Sequence, residues 1–368
     1  MSYNLEIIVK IWVTLLGRPI NNIIKKLEEY YGSIENAWFE GESCFIVQDN
    51  NPKSLISRVM DRTLRNRAID IYQECEQENI KILLAENKLY PKNLKEIPGF
   101  PHLLYYKGKL PAEADISENL LLSVVGSRRC TSYGRLNAYQ FSKSLSECGL
   151  GIVSGMARGV DAQSHKGALS VNGYTIAVLG SGFSQIYPKE HVKLFDEISE
   201  RGCVISEFPP KTPPYKHNFP ARNRIISGLS KGLLVVEASE KSGAMITVNF
   251  SIEQGRNVFA IPGNINSDMS YGCNFLIKQG AACVTSFTDI LDEYNIVCES
   301  EDMLNAWVKG LEGAESAVVE SIIKGNHTAD DICIETQRNM GNVLSALTML
   351  EIKGIVTKGF DGTFCLKK

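Results

Sequence analysis

Two hydrophobic periods divide the chain. Through residues 1–84, apolar side chains recur every three or four positions, as at Ile8, Ile11 and Leu15, which is the spacing of an amphipathic helix. From residue 85 onward, short apolar runs rich in β-branched residues alternate with segments of helical length. The pattern predicts a small all-helical module at 1–84 and a larger α/β domain at 85–297.

The α/β segment repeats the order strand, glycine turn, helix. Its apolar runs lie at 121–126, 151–155, 174–180, 203–206, 232–238, 257–263 and 281–285. Segments of helical length lie between them at 134–148, 161–171, 190–201, 220–229, 244–255 and 273–280. Runs that are apolar throughout are typical of parallel strands covered on both faces. We therefore predict a doubly wound parallel sheet whose ligand binds at the carboxyl ends of the strands.

The C-terminal residues predict a further unit. After an acidic linker at 298–313, the sequence favours helices at 314–324, 328–337 and 340–354, then two short strands around Asp361-Gly362. This is the order of a winged helix-turn-helix domain, predicted at 314–368. The third helix carries Lys353 as its single base, whereas phosphate contacts dominate DNA affinity. The residues favour protein docking or dimerisation over duplex reading for this unit.

The chain as a whole is mildly acidic, but one segment is strongly basic. The formal net charge is −3, so a site for a polyanion has to be a focused patch. Residues 205–232 contain one acid, Glu207, against five bases, which are Lys211, Lys216, Arg222, Arg224 and Lys231. Tyr215, His217 and Phe219 are interleaved with them. Cations for phosphates beside rings for unstacked bases indicate single-stranded nucleic acid binding.

Two glycine turns add candidate phosphate ligands. Gly126-Ser127-Arg128 follows the first predicted strand of the α/β domain and leads into a helix, whose N-terminal N–H groups favour an anion. Arg128 adds a planar guanidinium suited to phosphate, and Arg129 and Arg135 are weaker candidates. A second helix opens with Ser242-Gly243, small residues that let a phosphate approach the backbone closely.

The sequence gives little support for catalysis. Asp161 is predicted to cap or orient a helix, and His165 to be a structural hydrogen-bonding group. Gly180-Ser181-Gly182 begins an incomplete dinucleotide motif, and no phosphate-binding loop of the Walker type is present. No nucleophile with an adjacent base, paired acid and base, or metal cluster stands out. We predict a binding protein that is not an enzyme and uses neither cofactor nor metal.

The remaining composition indicates a cytoplasmic protein. The ten cysteines form no C-x-x-C pair, so we expect them to be reduced and mostly buried. The N-terminal apolar run lacks the basic flank and cleavage site of a signal peptide. No run approaches the length of about 20 apolar residues that a membrane helix needs. We expect a soluble protein without a membrane partner.

Five ordered blocks resemble the DprA/Smf family of bacterial DNA-processing proteins. The blocks are VGSRRCTSYG, SGMARGVDAQSHKGAL, SEFPPKTPPYKHNFPARNRIISGLS, VVEASEKSGAMIT and EQGRNVFAIPG, and the resemblance runs from Tyr90 to about Leu291. The resemblance implies an extended Rossmann-like fold with an N-terminal helical module of SAM or helix-hairpin-helix type. It also implies single-stranded DNA binding, protection of incoming DNA, loading of the RecA recombinase during natural transformation, and homodimerisation through the Rossmann domains. Two departures, His191 in place of a common asparagine and no acid before Tyr187-Pro188, lie outside the basic segment.

The resemblance also implies particular DNA contacts. Arg128, Lys216 and Arg222 would neutralise successive phosphates, Phe219 would pack against a base or sugar, and Asn223 would add a polar contact. Taken with the residue chemistry above, the predicted single-strand site consists of Gly126, Ser127, Arg128, Lys216, Phe219, Arg222, Asn223, Arg224, Lys231, Ser242 and Gly243.

Two other functions remain open at this point. Related Rossmann proteins cleave nucleotide-sugar bonds with a P-G-G-x-G-T-x-x-E block, of which this chain keeps Ser242-Gly243 and Thr247, with Glu253 further on. The alternative is therefore a nucleotide or nucleoside-phosphate hydrolase, or a ligand-binding protein, on the same scaffold. A winged-helix transcription regulator is the third hypothesis.

Overall fold

The computed structural model describes residues 4–17, 19–40, 54–114, 116–117, 120–296, 311, 313–353, 355–359 and 362–366. The chain divides into two compact units, Met1–Ile290 and Leu291–Lys368. Most of the predicted linker 298–313, and Asp361 of the predicted C-terminal turn, lie outside the described residues.

Among the described residues, five helices open the first unit. They are α1 Leu5–Leu15, α2 Ile20–Tyr31, α3 Ile34–Glu40, α4 Leu55–Met60 and α5 Arg62–Gln77. The helical prediction is wrong at its end, because Lys81–Leu84 forms a strand, β1. A four-residue apolar run cannot be assigned from periodicity alone. Its strand conformation comes from antiparallel pairing with a second strand, β2 Leu103–Gly108.

The predicted parallel sheet is confirmed and is larger than expected. Its other strands are β3 Leu121–Val125, β4 Gly151–Ser154, β5 Thr175–Leu179, β6 Cys203–Ser206, β7 Gly232–Val235, β8 Asn257–Ala260 and β9 Ala282–Cys283. The nine strands have the order β1-β2-β6-β5-β4-β3-β7-β8-β9. Pairing is parallel from β6 to β9, and β1 and β2 add two antiparallel strands at one edge.

Helices connect the strands and cover the sheet. They are α6 Lys92–Lys95, α7 Ser132–Glu147, α8 Val160–Ser170, α9 Val192–Arg201, α10 Asn218–Leu229, α11 Ala244–Glu253, α12 Tyr271–Lys278 and α13 Phe287–Glu293. Successive residues of β5 point into different cores. Ala177 and Leu179 pack with α1, α5, α8 and α9, whereas Ile176 and Val178 pack with α10, α11 and α12. This alternation places a hydrophobic core on each face of the sheet.

The second unit contains the predicted series of elements. Helices α14 Ala314–Ile323, α15 Ala329–Thr336 and α16 Met340–Ile352 precede the strands β10 Val356–Lys358 and β11 Phe364–Leu366, which pair antiparallel. Buried Val318, Ile332 and Leu347 join the three helices in one core.

The cysteine prediction is right in part. Among the described thiols, Cys75, Cys130, Cys203 and Cys273 are free and buried, whereas Cys148 is disulfide-bonded and contradicts the expectation of reduced cysteines throughout. In the part of the chain that the structure describes, no single helix is both long and apolar enough to cross a membrane, although the bent pair α1–α2 qualifies by length and composition.

Candidate nucleic-acid interface

A crevice of about 730 Å³ opens at the carboxyl edge of the parallel strands. Strands β3 and β7 are neighbours there, and the sheet continues to β4 on one side and to β8 on the other. Ligands of open α/β sheets bind at such a point, where the strand order reverses. Nine predicted residues line the crevice, namely Gly126, Ser127, Arg128, Lys216, Phe219, Arg222, Asn223, Ser242 and Gly243.

The turn after β3 is held in place by Glu237, a residue to which sequence analysis gave no role. The Glu237 side chain is buried and accepts hydrogen bonds from Thr131 N at 2.8 Å and from Thr131 Oγ1 at 2.6 Å. Its carbonyl oxygen accepts from Ser127 N at 2.7 Å. Thr131 in turn caps α7 by accepting from Gly134 N. Glu237 therefore fixes both ends of the turn that carries Arg128.

Arg128 and Phe219 form one wall of the crevice. Arg128 is exposed, and its guanidinium carbon lies 5.4 Å from the centroid of the Phe219 ring, a cation–π arrangement. Tyr187, which the sequence analysis did not select, also lines the crevice, with its ring centroid 5.6 Å from that of Phe219. The backbone of Gly180 allows this packing, because a Cβ there would lie 2.7 Å from Phe219 Cδ1. The wall thus presents a cation beside two aromatic faces.

Lys216 belongs to the proline loop, by which we mean residues 208–217. The loop contains Pro209, Pro210, Pro213 and Pro214. Lys216 is exposed and lines the crevice, and the rings of Tyr215 and His217 stack beside it with centroids 5.6 Å apart and planes 7° apart. Lys216 is therefore placed at the crevice, and its role as a phosphate ligand stays a prediction.

Two of the predicted basic ligands are directed elsewhere. Arg224 does not line the crevice, because it donates to the Glu207 carboxylate at 2.7 Å and to the Gly99 carbonyl oxygen. Lys231 precedes β7, and its N–H bonds Leu121 O at the start of β3, so it lies at the amino ends of the strands. The crevice does not bring these two residues together with the other nine.

Arg222 lines the crevice but is not an exposed phosphate ligand. It is 3% exposed, and its Nη1 donates to the carbonyl oxygens of Gly155 and Val178. Burial lowers the pKa of Arg222 to about 10, an effect that the nearby Asp161 carboxylate opposes. The guanidinium therefore remains charged at neutral pH and joins the ends of β4 and β5.

Asp161 and His165 have structural roles in this region. Asp161 is buried inside the first turn of α8 and accepts from Ala157 N at 3.2 Å, so it orients the turn after β4, whereas Gly159 occupies the cap position. Burial raises the pKa of Asp161. His165 is fully buried with Nδ1 2.7 Å from Thr175 Oγ1, and burial lowers its pKa to about 3. The prediction that His165 makes a structural hydrogen bond is confirmed.

The start of α11 completes the crevice. Ser242 and Gly243 precede the helix and line the crevice together with Thr247, and a Cβ built on Gly243 would meet no atom within 4 Å. This open helix start suits an anion that approaches the backbone. Glu253 is exposed at the opposite end of the same helix and does not line the crevice, so the structure gives the hydrolase hypothesis no carboxylate at that position.

The charges of the crevice favour a polyanion. Arg128, Arg129, Lys216 and Arg222 line it together with a single carboxylate, that of Asp161. Cations and aromatic rings beside open helix starts are the groups that hold phosphates and unstacked bases. The fold and the crevice define a Rossmann-type α/β protein with a cationic, aromatic-walled site at the switch point of its sheet.

Comparison with known proteins gives the family. The chain belongs to the family of DNA recombination-mediator protein A, whose model matches residues 81–295. It is 38% identical over 274 residues to the DNA processing protein DprA of Streptococcus pneumoniae, a match that covers 74% of this chain and 93% of that protein. Protein Smf of Escherichia coli is 45% identical over 218 residues, which cover 59% of this chain and 57% of that protein. The resemblance to the DprA/Smf family is confirmed.

Solved structures agree with this assignment. The X-ray structure of DprA from Streptococcus pneumoniae matches with a TM-score of 0.64 at 36% identity, over 80% of this chain and 99% of that chain. DNA processing protein A from Helicobacter pylori, whose structure was described for its single-stranded DNA binding mode, matches with a TM-score of 0.52 at 27% identity, over 59% of this chain and 95% of that chain. Both matches support the Rossmann-like fold described above.

Proposed function

We propose that the chain binds single-stranded DNA in the crevice at the switch point of its sheet. The observation that carries the proposal is the wall formed by Arg128 and Phe219 beside exposed Lys216. Arg128 and Lys216 neutralise phosphates, and Phe219 stacks on a base or sugar. Such stacking contributes about 1–3 kcal/mol per base and tolerates any sequence, because every base has a π-face.

The crevice favours a single strand for a physical reason. The partly buried ring of Phe219 lies in the wall of a cavity rather than on a flat surface. A paired base is already stacked and presents its edge, so only an unpaired base can offer its face to this ring. Membership of a recombination-mediator family, and the single-stranded DNA binding described for the Helicobacter pylori protein, support the same proposal.

At the level of the whole protein, the proposed role is that of a recombination mediator. It coats and protects incoming single strands, loads RecA onto them during natural transformation, acts in the cytoplasm and works as a homodimer through its Rossmann domain. Family membership supports this role. Its test is RecA filament formation on an oligonucleotide precoated with single-strand-binding protein. Wild type should accelerate filament formation, and Lys216→Glu should not.

The binding test is fluorescence anisotropy of labelled oligo-dT and of a matching duplex, titrated at two or more salt concentrations. We expect tight, salt-sensitive binding of the single strand. Arg128→Ala should weaken it and reduce the salt slope by about 0.7, the value for one lost phosphate contact on a single strand. Lys216→Glu should weaken binding further, because it also introduces a repulsive charge.

Lys231→Glu is a matched control, since it makes the same charge reversal at the amino ends of the strands. It should bind the single strand like wild type. Equal affinity for single strand and duplex, or equal losses in Lys216→Glu and Lys231→Glu, would count against the crevice as the binding site.

A further inference from the structure

An ion pair joins the N-terminal helices to the proline loop. Glu74 on α5 accepts a hydrogen bond from Lys211 Nζ at 2.9 Å and another from Arg67 Nη1 at 2.8 Å. The side chain of Glu74 is 10% exposed, whereas that of Lys211 is 58% exposed. Lys211 does not line the crevice. This pair therefore joins α5 to the loop at a point outside the proposed DNA site.

The environment of Glu74 keeps it ionised. Burial opposes ionisation, but the hydrogen bonds from Arg67 and Lys211 outweigh it and hold the pKa of Glu74 below its ordinary value. A carboxylate with two charged donors is a stronger and more directional acceptor than a neutral group. At neutral pH, Glu74 is thus a fixed anchor for the side chain of Lys211.

A second connection between α5 and the proline loop passes through the turn 181–185. Ser184 Oγ donates to the carboxylate of Glu78, just beyond the end of α5, at 2.9 and 3.0 Å. Ser184 N donates to Pro210 O at 2.9 Å, and Gly182 N donates to Thr212 O at 2.9 Å. The turn 181–185 therefore lies between α5 and the proline loop and is bonded to both. The loop is held by α5 at two places, directly and through this turn.

The proline loop is stiff enough to transmit its position to the crevice. Lys211 is separated from Lys216 by four residues, two of which are Pro213 and Pro214, whose φ angles are fixed by their rings. Pro213 O accepts from Tyr215 N at 2.8 Å and from Asn218 Nδ2 at 3.4 Å. Asn218 is the first residue of α10, which presents Phe219 to the crevice. A shift at Lys211 therefore displaces Lys216 and the start of α10.

We infer that α5 positions the single-strand site through the Glu74–Lys211 ion pair, with Glu74 acting as a positioning residue that touches no DNA. The inference rests on the proposed function and adds a role for the N-terminal helices in it. Anchoring the loop lowers the conformational entropy that DNA binding would otherwise have to remove when it orders Lys216.

Glu74→Gln separates this mechanism from simple electrostatics by the sign of its effect. The substitution removes a negative charge, so if charge alone mattered it would release Lys211 for phosphate and tighten binding. The positioning role predicts the opposite, a weakening of oligo-dT affinity of about threefold to tenfold, the size expected when one contact within a coupled network is lost. The salt slope should stay at the wild-type value, because no phosphate contact is removed.

Lys211→Met tests the same pair from its exposed side, where a substitution is compatible with folding. Positioning predicts weaker binding at an unchanged salt slope, and the double variant should bind no more weakly than either single variant. A direct phosphate contact by Lys211 predicts instead a slope smaller by about 0.7. Glu86→Gln is the matched control. Glu86 accepts a hydrogen bond from Lys10 on α1, so this substitution removes a different ion pair between the N-terminal helices and the residues that follow β1.

Amide hydrogen exchange gives a readout that does not depend on DNA. In Glu74→Gln, the amides of Thr212 and Tyr215, which are bonded within the loop, should exchange at least about threefold faster than in wild type and in Glu86→Gln. Unchanged exchange in the loop, or tighter DNA binding by Glu74→Gln, would overturn the inference. Wild type that binds no single strand would instead refute the proposed function and, with it, the DNA part of this inference.

Discussion

Arg222 offers a sharp test of the crevice, because sequence and structure give it different roles. The family pattern implies a phosphate contact, whereas the structure buries the guanidinium to 3% exposure and directs it at the carbonyl oxygens of Gly155 and Val178. Arg222→Ala would take the donor from these oxygens and leave buried Asp161 without the cation that does most to hold its pKa down. Removal of one partner from a buried charged pair costs about 3–5 kcal/mol.

The measurement is urea and thermal unfolding followed by tryptophan fluorescence, since Trp12 and Trp38 both lie in the first unit. We expect Arg222→Ala to lower the midpoint of thermal unfolding by roughly 6–20 °C, the shift that such a loss produces in a domain of this size. Lys216→Ala, an exposed substitution in the same crevice, should change the free energy of unfolding by less than about 0.5 kcal/mol.

The pH dependence gives the charge effect a distinct signature. Burial already raises the pKa of Asp161, and Arg222 opposes that rise. In Arg222→Ala the pKa rises further, so the folded state holds a proton that the unfolded state has lost. The free energy of unfolding of the variant should then fall as pH rises and recover as pH is lowered toward 5.

Two results would refute the reasoning about Arg222. One is a stability within about 0.5 kcal/mol of wild type, as for an ordinary surface residue. The other is a salt slope for oligo-dT binding that drops by about 0.7 while the fold is intact, since that is the effect of losing a direct phosphate contact. The double variant Arg222→Ala/Asp161→Asn should recover stability relative to Arg222→Ala, because it removes the carboxyl group whose burial Arg222 no longer compensates.

Three further outcomes are expected. Gly180→Ala should displace the Phe219 ring, because the new methyl carbon would lie 2.7 Å from Phe219 Cδ1. Single-strand binding should then weaken by about 1–3 kcal/mol per stacked base in anisotropy titrations. Unchanged affinity would exclude Phe219 as a stacking group. His165 holds a pKa of about 3 through burial, so the free energy of unfolding should fall by about 1.4 kcal/mol per pH unit below about 6.5, and His165→Gln should flatten that fall in urea titrations. Arg224→Ala breaks the pair with Glu207 and should cost about 3 kcal/mol of stability in unfolding experiments. The salt slope of DNA binding should stay unchanged, and a reduced slope would show that Arg224 contacts a phosphate after all.

The sequence was sufficient for most of the parallel sheet. Buried parallel strands are apolar at every position, so runs such as 121–126 and 174–180 are visible against the polar helices between them. The strands β1 and β2 were missed for the opposite reason. Their runs are short and their strand conformation depends on pairing partners far away in the chain, such as Tyr106 with Ile205.

Sequence reasoning was most useful where suitable side-chain chemistry occurs at regular positions along a helix. Phe219, Arg222, Asn223 and Ile226 all line the crevice and share one face of α10, at spacings of three, four and seven residues. Helical periodicity would have excluded Arg224, which lies off that face. Burial is harder to anticipate, because nothing in the local sequence shows that Arg222 meets carbonyl oxygens from two distant strands.

Ion pairs formed in the fold explain why the basic segment offers fewer cations to the crevice than its sequence indicates. The basic segment 205–232 appeared as one patch because charge was counted along the chain. In the fold, Lys211 is bound by Glu74, which lies 137 residues away, and Arg224 by Glu207. Charge density along the sequence therefore overstated the number of cations in this segment that line the crevice.

Because the N-terminal helices and the sheet share one core, the family-matched segment 81–295 does not contain the whole of that core. Trp12 is fully buried in the same cluster as Leu103, Tyr105 and Leu179 of the sheet. A fragment restricted to the family-matched residues 81–295 would keep α8 and α9 on that face of the sheet but lose the cover that α1 and α5 provide. The helical module is thus part of the same folding unit as the sheet, and that unit is complete only when the helices fill the space above the sheet.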